Sequence, residues 1–353
     1  MRDQIIKELL LKFEINLSGL KVYTEAASGP YMAGPILCAL AGADRVTAQV
    51  ADSFYGKASD IIQNTYNLAE MWGVLDRIKC VSSRSLVDLR QADIVTNSGH
   101  VRPIDVDLIS SLKPTAVVPL MWETWELRRE EFDLNACKRH QILTLGTNES
   151  SSICDMSFFI GLTGLKMLLD NGFDGRKVLL IGSDNSPADS LYSYFKKINL
   201  DVVWINDHNL FEKDVSQDTE LLELFSSVSH IIVAEHTYKH EILGESKILC
   251  PENLGTINPN IKILVMCGNV NTKSSKFDTI SVYPDKILPF GHISYQLYNL
   301  GAFPVLYLYA AGLKVGEQMA RERLRGLPCD VAAQNVLGYG LACDYLGQDA
   351  WVK

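Results

Sequence analysis

Lys21-Val-Tyr-Thr24, Ala27-Ser-Gly-Pro30, Pro35-Ile-Leu-Cys-Ala-Leu-Ala41 and Arg45-Val-Thr-Ala-Gln-Val50 follow one another in the chain. The first and last are short apolar runs of strand type, the second is a turn, and the third is an apolar helical stretch. Strand, turn, helix and strand make one βαβ unit. Outward from it the theme continues with a helix at about 58–72, strands at Ile78–Val81 and Ile94–Thr96, and a helix at about 104–112. Strands at Ala116–Leu120 and Ile142–Leu145 follow. Such alternation favours a parallel sheet with helices on both faces.

A long apolar helix from Asp155 leads into Gly175-Arg-Lys-Val-Leu-Leu-Ile-Gly182, which opens a second βα series. Its strands are expected at Val178–Ile181, Val202–Ile205, His230–Val233 and Ile263–Met266, with a short one near Thr279–Val282. After Pro289 no new βαβ signal arises; an apolar helical stretch from Pro304 and a helix near Ala332–Leu346 return to complete the first series. The predicted fold class is α/β, with two Rossmann-like doubly wound parallel-sheet domains and an interdomain cleft. Residues 1–154 with 296–353 form the substrate domain, and residues 155–295 the nucleotide-binding domain.

The 353 residues are long enough for two cores, and 47% hydrophobic with 21% charged residues is ordinary globular usage. A formal net charge of −9, with the arginines Arg321, Arg323 and Arg325 confined to one helix, argues against nucleic acid as a partner. No segment approaches the roughly 18 apolar residues of a membrane span, and the N-terminal stretch has no apolar leader core. Eight cysteines without a C-x-x-C pair read as reduced, buried thiols, so the expected compartment is the cytoplasm.

In open parallel α/β sheets ligands collect at the carboxyl ends of strands. Five consecutive strand ends of the first domain are polar: Thr24-Glu25 with Ser28, Asp52-Ser53, Asn97 to His100, Trp122-Glu123-Thr124, and Thr147-Asn148-Glu149. Each taken alone serves equally well as a turn or helix cap. Their coincidence points to a small-molecule site. The second domain opens with Gly182-Ser183-Asp184-Asn185-Ser186-Pro-Ala188, in which only the first glycine of G-x-G-x-x-G is in place and Asp184 stands at the second. Asn206-Asp207 ends the next strand at the offset where an acid accepts hydrogen bonds from a ribose, and Cys267 lies at a later strand end. His236 and His240 are four apart, but the segment is not clearly helical and lacks a third ligand, so no metal is expected. His292, at the return to the first domain, is positioned to act as acid or base.

These residues resemble the formate/glycerate-type dehydrogenases, a superfamily that includes the D-2-hydroxyacid dehydrogenases and S-adenosylhomocysteine hydrolase. Pro289-Phe-Gly-His292 is similar to the Pro-His segment that carries the catalytic histidine of the hydroxyacid dehydrogenases. Met266-Cys267-Gly268-Asn269 stands where that family has an Arg-Gly segment, so the arginine that clamps a substrate carboxylate is absent. Thr24-Glu25-Ala-Ala27, Glu123-Thr124, and Asn148 with Asp155 resemble segments of the hydrolase. The resemblance implies that Glu123, Asn148 and Asp155 contact substrate or assist proton transfer. It also implies a dimer.

The resulting expectation is an NAD(P)-linked oxidoreductase, or an enzyme of transient redox chemistry, acting on a small polar metabolite. Glu123 and His292 would transfer protons; Glu25, Ser28, Asn97, His100, Thr124, Asn148 and Asp155 would bind substrate. Gly182, Ser183, Asp184, Asn185, Ser186, Asn206, Asp207 and Cys267 would hold NAD or NADP. Two alternatives stand beside it: a ligand-binding or regulatory protein that has lost the cofactor, and a non-redox lyase or hydrolase using the same carboxylates.

Overall fold

The computed structural model describes residues 2–352 apart from 185, 212, 214, 245–246 and 272–279, with the side chains of residues 2 and 3 also left aside. The chain divides into two compact units, Met1–Asp155 with Gly301–Lys353, and Met156–Leu300. Each has a parallel sheet of its own.

In the first unit the strands are β1 (Lys21–Glu25), β2 (Arg45–Gln49), β3 (Ile78–Val81) and β4 (Ile94–Val95), in the order β3-β2-β1-β4. Single parallel bridges, Ile94 to Val117 and Val117 to Leu143, extend the sheet by two further segments. The order is then that of the Rossmann fold, reversing between β1 and β4. Ala116–Leu120 and Ile142–Leu145, expected as full strands, reach only this bridged state. Pro119 is the reason: without an N–H it cannot donate to a ladder. Val118 and Leu120 still donate to Leu143 and Leu145, both at 2.9 Å, and Val95 donates to Val117 at 3.0 Å.

The chain returns to this unit through the helix Ala302–Leu324. Glycines let that helix approach closely: a Cβ at Gly312 would lie 2.8 Å from Met121 Cα, and one at Gly316 2.9 Å from Pro119 Cγ. Tyr309 on the same helix reaches the buried end of β1, where its hydroxyl lies 2.9 Å from Thr24 Oγ1. The last helix ends sooner than its predicted limit, at Cys329–Gly338. Gly338 and the left-handed Gly340 (φ 80°) stop it, and Ala342-Cys343 then pairs with Gly146-Thr147.

In the second unit β5 (Val178–Ile181), β6 (Val202–Ile205), β7 (His230–Ala234), β8 (Lys262–Cys267) and β9 (Ser281–Tyr283) form a parallel sheet of order β9-β8-β7-β5-β6. Counted along the unit this is 2-1-3-4-5, reversing between β5 and β7. Side chains alternate between two cores, as a period of two requires. Leu179, Ile181, Ile231, Val233, Ile263 and Val265 enter one core. Val178, Leu180, Ile232, Ala234, Leu264 and Met266 enter the other. Both faces are therefore covered, which is why these strands read as continuous apolar runs. The expected strand near Thr279 is displaced to Ser281–Tyr283, and Thr279 itself lies outside the described residues.

Candidate functional site

The first unit gathers its polar groups at the carboxyl ends of its strands. Glu25 closes β1, and its carboxylate accepts the His100 backbone N–H at 2.9 Å from the loop after β4. Gly99 is small for this reason: a Cβ there would stand 3.0 Å from Glu25 Oε2. Burial raises the Glu25 pKa against the pull of the His100 amide and the nearby His100 and Arg102 charges. Thr96 Oγ1 donates to Thr24 Oγ1 at 2.8 Å and lies 3.0 Å from Ser98 Oγ, so these hydroxyls satisfy one another inside the unit. Asn97 donates from Nδ2 to Leu120 O at 3.2 Å, while its buried Oδ1 has no partner among the described residues. Ser28 precedes the short turn Gly29–Met32 without capping it.

Trp122 is the centre of the next group. The guanidinium groups of Arg102 and Arg128 lie 5.5 and 5.6 Å from its ring centroid. Arg102 pairs with Glu131, and Arg128 reaches Glu126 at 3.5 Å and Glu131 at 3.4 Å. Glu123 accepts the Trp125 indole N–H at 2.9 Å. Glu149 Oε1 is buried and has no hydrogen-bond partner among the described residues.

Three carboxyl groups crowded in this way cannot all ionise easily. Burial pushes Glu126 up to about 7, with Arg128 opposing and Glu123 adding to the rise. Glu149 is raised well above the ordinary range by burial and then by the charges of Glu126 and Glu123; Glu123 is raised by burial. Carboxyl groups that titrate near neutrality can give and take protons there.

Among the described residues, five buried polar atoms in this region lack hydrogen-bond partners: Asn97 Oδ1, Arg102 Nε, Trp122 Nε1, Thr147 Oγ1 and Glu149 Oε1. Unpaired buried groups are uncommon and costly, so a cluster of donors and acceptors at one sheet end calls for a ligand or water.

Of the other residues expected here, Thr124 donates from Oγ1 to Asp344 O at 3.2 Å. Asn148 Oδ1 accepts the Ser150 N–H at 3.1 Å, so it shapes its own turn. Asp155 is exposed on a two-residue strand paired with Ser150. Arg102, Glu126 and Arg128 are functional candidates that the sequence did not single out, whereas Trp122 and Glu149 stood only among its polar strand ends. The signal for Glu126 and Arg128 was the density of Arg, Glu and Trp over residues 122–131, directly after a strand end.

In the second unit Gly182 follows β5. A Cβ there would collide with Ala234 O and stand 2.7 Å from Ala188 Cβ, so close packing demands this glycine. Ser186 caps the helix Pro187–Lys197 and donates to Ser183 O at 2.6 Å. Asp184 accepts Asn206 Nδ2 at 2.8 Å, both exposed, whereas Asp207 accepts the Asn209 N–H at 2.9 Å within its own turn. Asn185 lies outside the described residues. Cys267 is buried at the end of β8. His292 is half-buried, with its N–H donating to Pro289 O at 3.1 Å. The segment holding His236 and His240 is not helical, and among the described residues no group of three or more His, Cys, Asp and Glu is arranged to hold a metal.

Solved structures share this architecture. A dipicolinate synthase chain from Bacillus halodurans aligns over 87% of this chain and 99% of its own, with a TM-score of 0.50 at 11% identity. The chain has the fold of the two-domain Rossmann-like proteins. A D-3-phosphoglycerate dehydrogenase-type oxidoreductase from Ralstonia solanacearum aligns over 87% of this chain and 95% of its own (TM-score 0.45, 12% identity). The NAD-dependent formate dehydrogenase from Staphylococcus aureus, solved with NAD, aligns over 87% and 96% (TM-score 0.38, 10% identity). No family model and no curated protein matches the chain. Among the described residues no helix is long and apolar enough to cross a membrane.

Proposed function

We propose that the chain is an enzyme that binds a small polar metabolite at the strand ends of its first unit and moves protons there through Glu123, Glu126 and Glu149. The observation that carries this reading is the set of five unpaired buried polar atoms on Asn97, Arg102, Trp122, Thr147 and Glu149. Donors and acceptors are both among them, which suits a ligand bearing hydroxyl, amide or carboxylate groups. The neighbouring carboxyl groups, one of them near 7, supply acid and base at neutral pH. This favours the non-redox lyase or hydrolase alternative.

The NAD(P)-linked oxidoreductase is the second reading. It draws on the fold shared with dehydrogenases and would need a nicotinamide nucleotide at the strand ends of the second unit.

A thermal-shift panel of small polar metabolites, followed by calorimetry, tests the first reading. The wild type is expected to be stabilised by at least one hydroxylated or carboxylated compound, and Asn97→Ala and Glu149→Gln to lose that response while staying folded. Hits that bind both variants as tightly as the wild type would count against it.

A further inference from the structure

The fold implies a dinucleotide in the second unit, and the strand ends there show whether one fits. In a dinucleotide-binding unit the backbone N–H groups of the turn after the first strand receive the pyrophosphate, and the second glycine lets it approach. Here one of those donors, the Ser183 N–H, already has an anion. The Ser183 N–H donates to Glu235 Oε2 at 2.7 Å, and the Ser183 hydroxyl donates to the same oxygen. The other oxygen, Oε1, accepts the Thr237 N–H, the Thr237 hydroxyl at 2.8 Å and the Tyr238 N–H at 2.9 Å.

Glu235 is fully buried at the end of β7, directly across the sheet reversal from the turn after β5. Burial alone would raise its pKa, but the hydrogen bonds from Ser183 and Thr237 outweigh that and hold it below the ordinary carboxylate range. It is therefore a charged group at neutral pH. His208 Nε2 lies 3.7 Å from Oε2. Asp184, at the position of the second glycine, adds another carboxylate, held by Asn206. A pyrophosphate would meet a Ser183 whose N–H and hydroxyl are already engaged, and two negative charges.

We propose that Glu235 is a resident anion that closes the phosphate turn of the second unit, so that this Rossmann-like unit takes no dinucleotide pyrophosphate there. The residues do not fit the cofactor that the fold implies. The carboxylate instead ties the loop after β7 to the turn after β5 and makes that end of the sheet a structural joint.

Calorimetric titration of the full-length wild type with NAD+, NADH, NADP+ and NADPH is the deciding measurement. No saturable binding is expected up to millimolar nucleotide; saturable binding of any one of them overturns the proposal. Glu235→Ala supplies the second arm, because it frees the Ser183, Thr237 and Tyr238 N–H groups. Its thermal midpoint is expected to rise with millimolar inorganic phosphate over chloride at matched ionic strength, while that of the wild type does not. An equal response in both proteins overturns the proposal, and the wild-type titration decides it even where Glu235→Ala fails to fold. The polar-metabolite reading is judged separately, by the metabolite response of Asn97→Ala and Glu149→Gln, so failure here is distinguishable from failure of that reading.

Discussion

Glu123 accepts the Trp125 indole N–H at 2.9 Å, and the charge held there raises the proton affinity of the buried Glu149 carboxyl. The arrangement holds both carboxyl groups close to Glu126, so each ion raises the cost of the next. Proton affinity at this sheet end is thus a property of the group and not of one residue.

The first consequence concerns stability against pH. Glu126 is raised to about 7 in the folded chain, above its unfolded value, so the folded state binds more protons than the unfolded state between the two. The stabilisation is fully present below the unfolded pKa and is lost as pH rises through 7. Its size is at most on the order of 3 kcal/mol. Urea denaturation between pH 5 and 8 is expected to show falling stability, and Glu126→Gln to flatten the slope. Parallel profiles for the two proteins would show that Glu126 is not the titrating group.

Trp122 separates packing from polar recognition. Trp122→Phe keeps a ring between Arg102 and Arg128 and deletes the unpaired indole N–H, so the unliganded protein should be unchanged or gain up to about 1 kcal/mol. Trp122→Ala removes the platform altogether and should cost about 3 kcal/mol. A loss on Trp122→Phe as large as that on Trp122→Ala would mean that the N–H has a partner in solution.

Tyr309 tests how the returning helix is fixed to β1. Its hydroxyl lies 2.9 Å from Thr24 Oγ1 and 3.7 Å from Cys38 Sγ, inside a network that continues to Thr96 and Ser98. Tyr309→Phe leaves Thr24 with one partner fewer and is expected to cost about 1–2 kcal/mol, read as a lower urea midpoint at constant m-value. An unchanged midpoint would show that the network repairs itself without the phenol.

The strands of both units were legible because runs such as Val178–Ile181 and His230–Ala234 are apolar on both faces, and a doubly covered sheet needs that composition. Pro119 also stood in the sequence, and its missing N–H foretells that Ala116–Leu120 cannot form a full ladder. The candidate site was harder to read. Glu25 and Asn97 announce themselves as polar strand ends, but an unpaired Oδ1 or indole N–H exists only once the surroundings are folded. Glu235 followed the same strand-end rule as Glu25; the pair of histidines beside it drew attention instead. Its hydrogen bonds to residues 183, 237 and 238 depend on the meeting of β5 and β7, which no local pattern records.

Gly182 is the position where that meeting can be tested without touching a charge. A Cβ on it would run into Ala234 O and press within 2.7 Å of Ala188 Cβ, and neither neighbour is the end of a flexible side chain. The strand end and the first turn of the helix Pro187–Lys197 would have to separate, which also stretches the Ser183–Glu235 contact that follows in the chain. Gly182→Ala is therefore expected to destabilise the protein by more than about 2 kcal/mol, the range of overpacked core sites. Hydrogen exchange should localise the loss to β5 and β7, with the β1 and β4 amides of the first unit protected as before. Uniform deprotection across both units, or a loss below about half a kcal/mol, would show that the turn yields more easily than its packing implies.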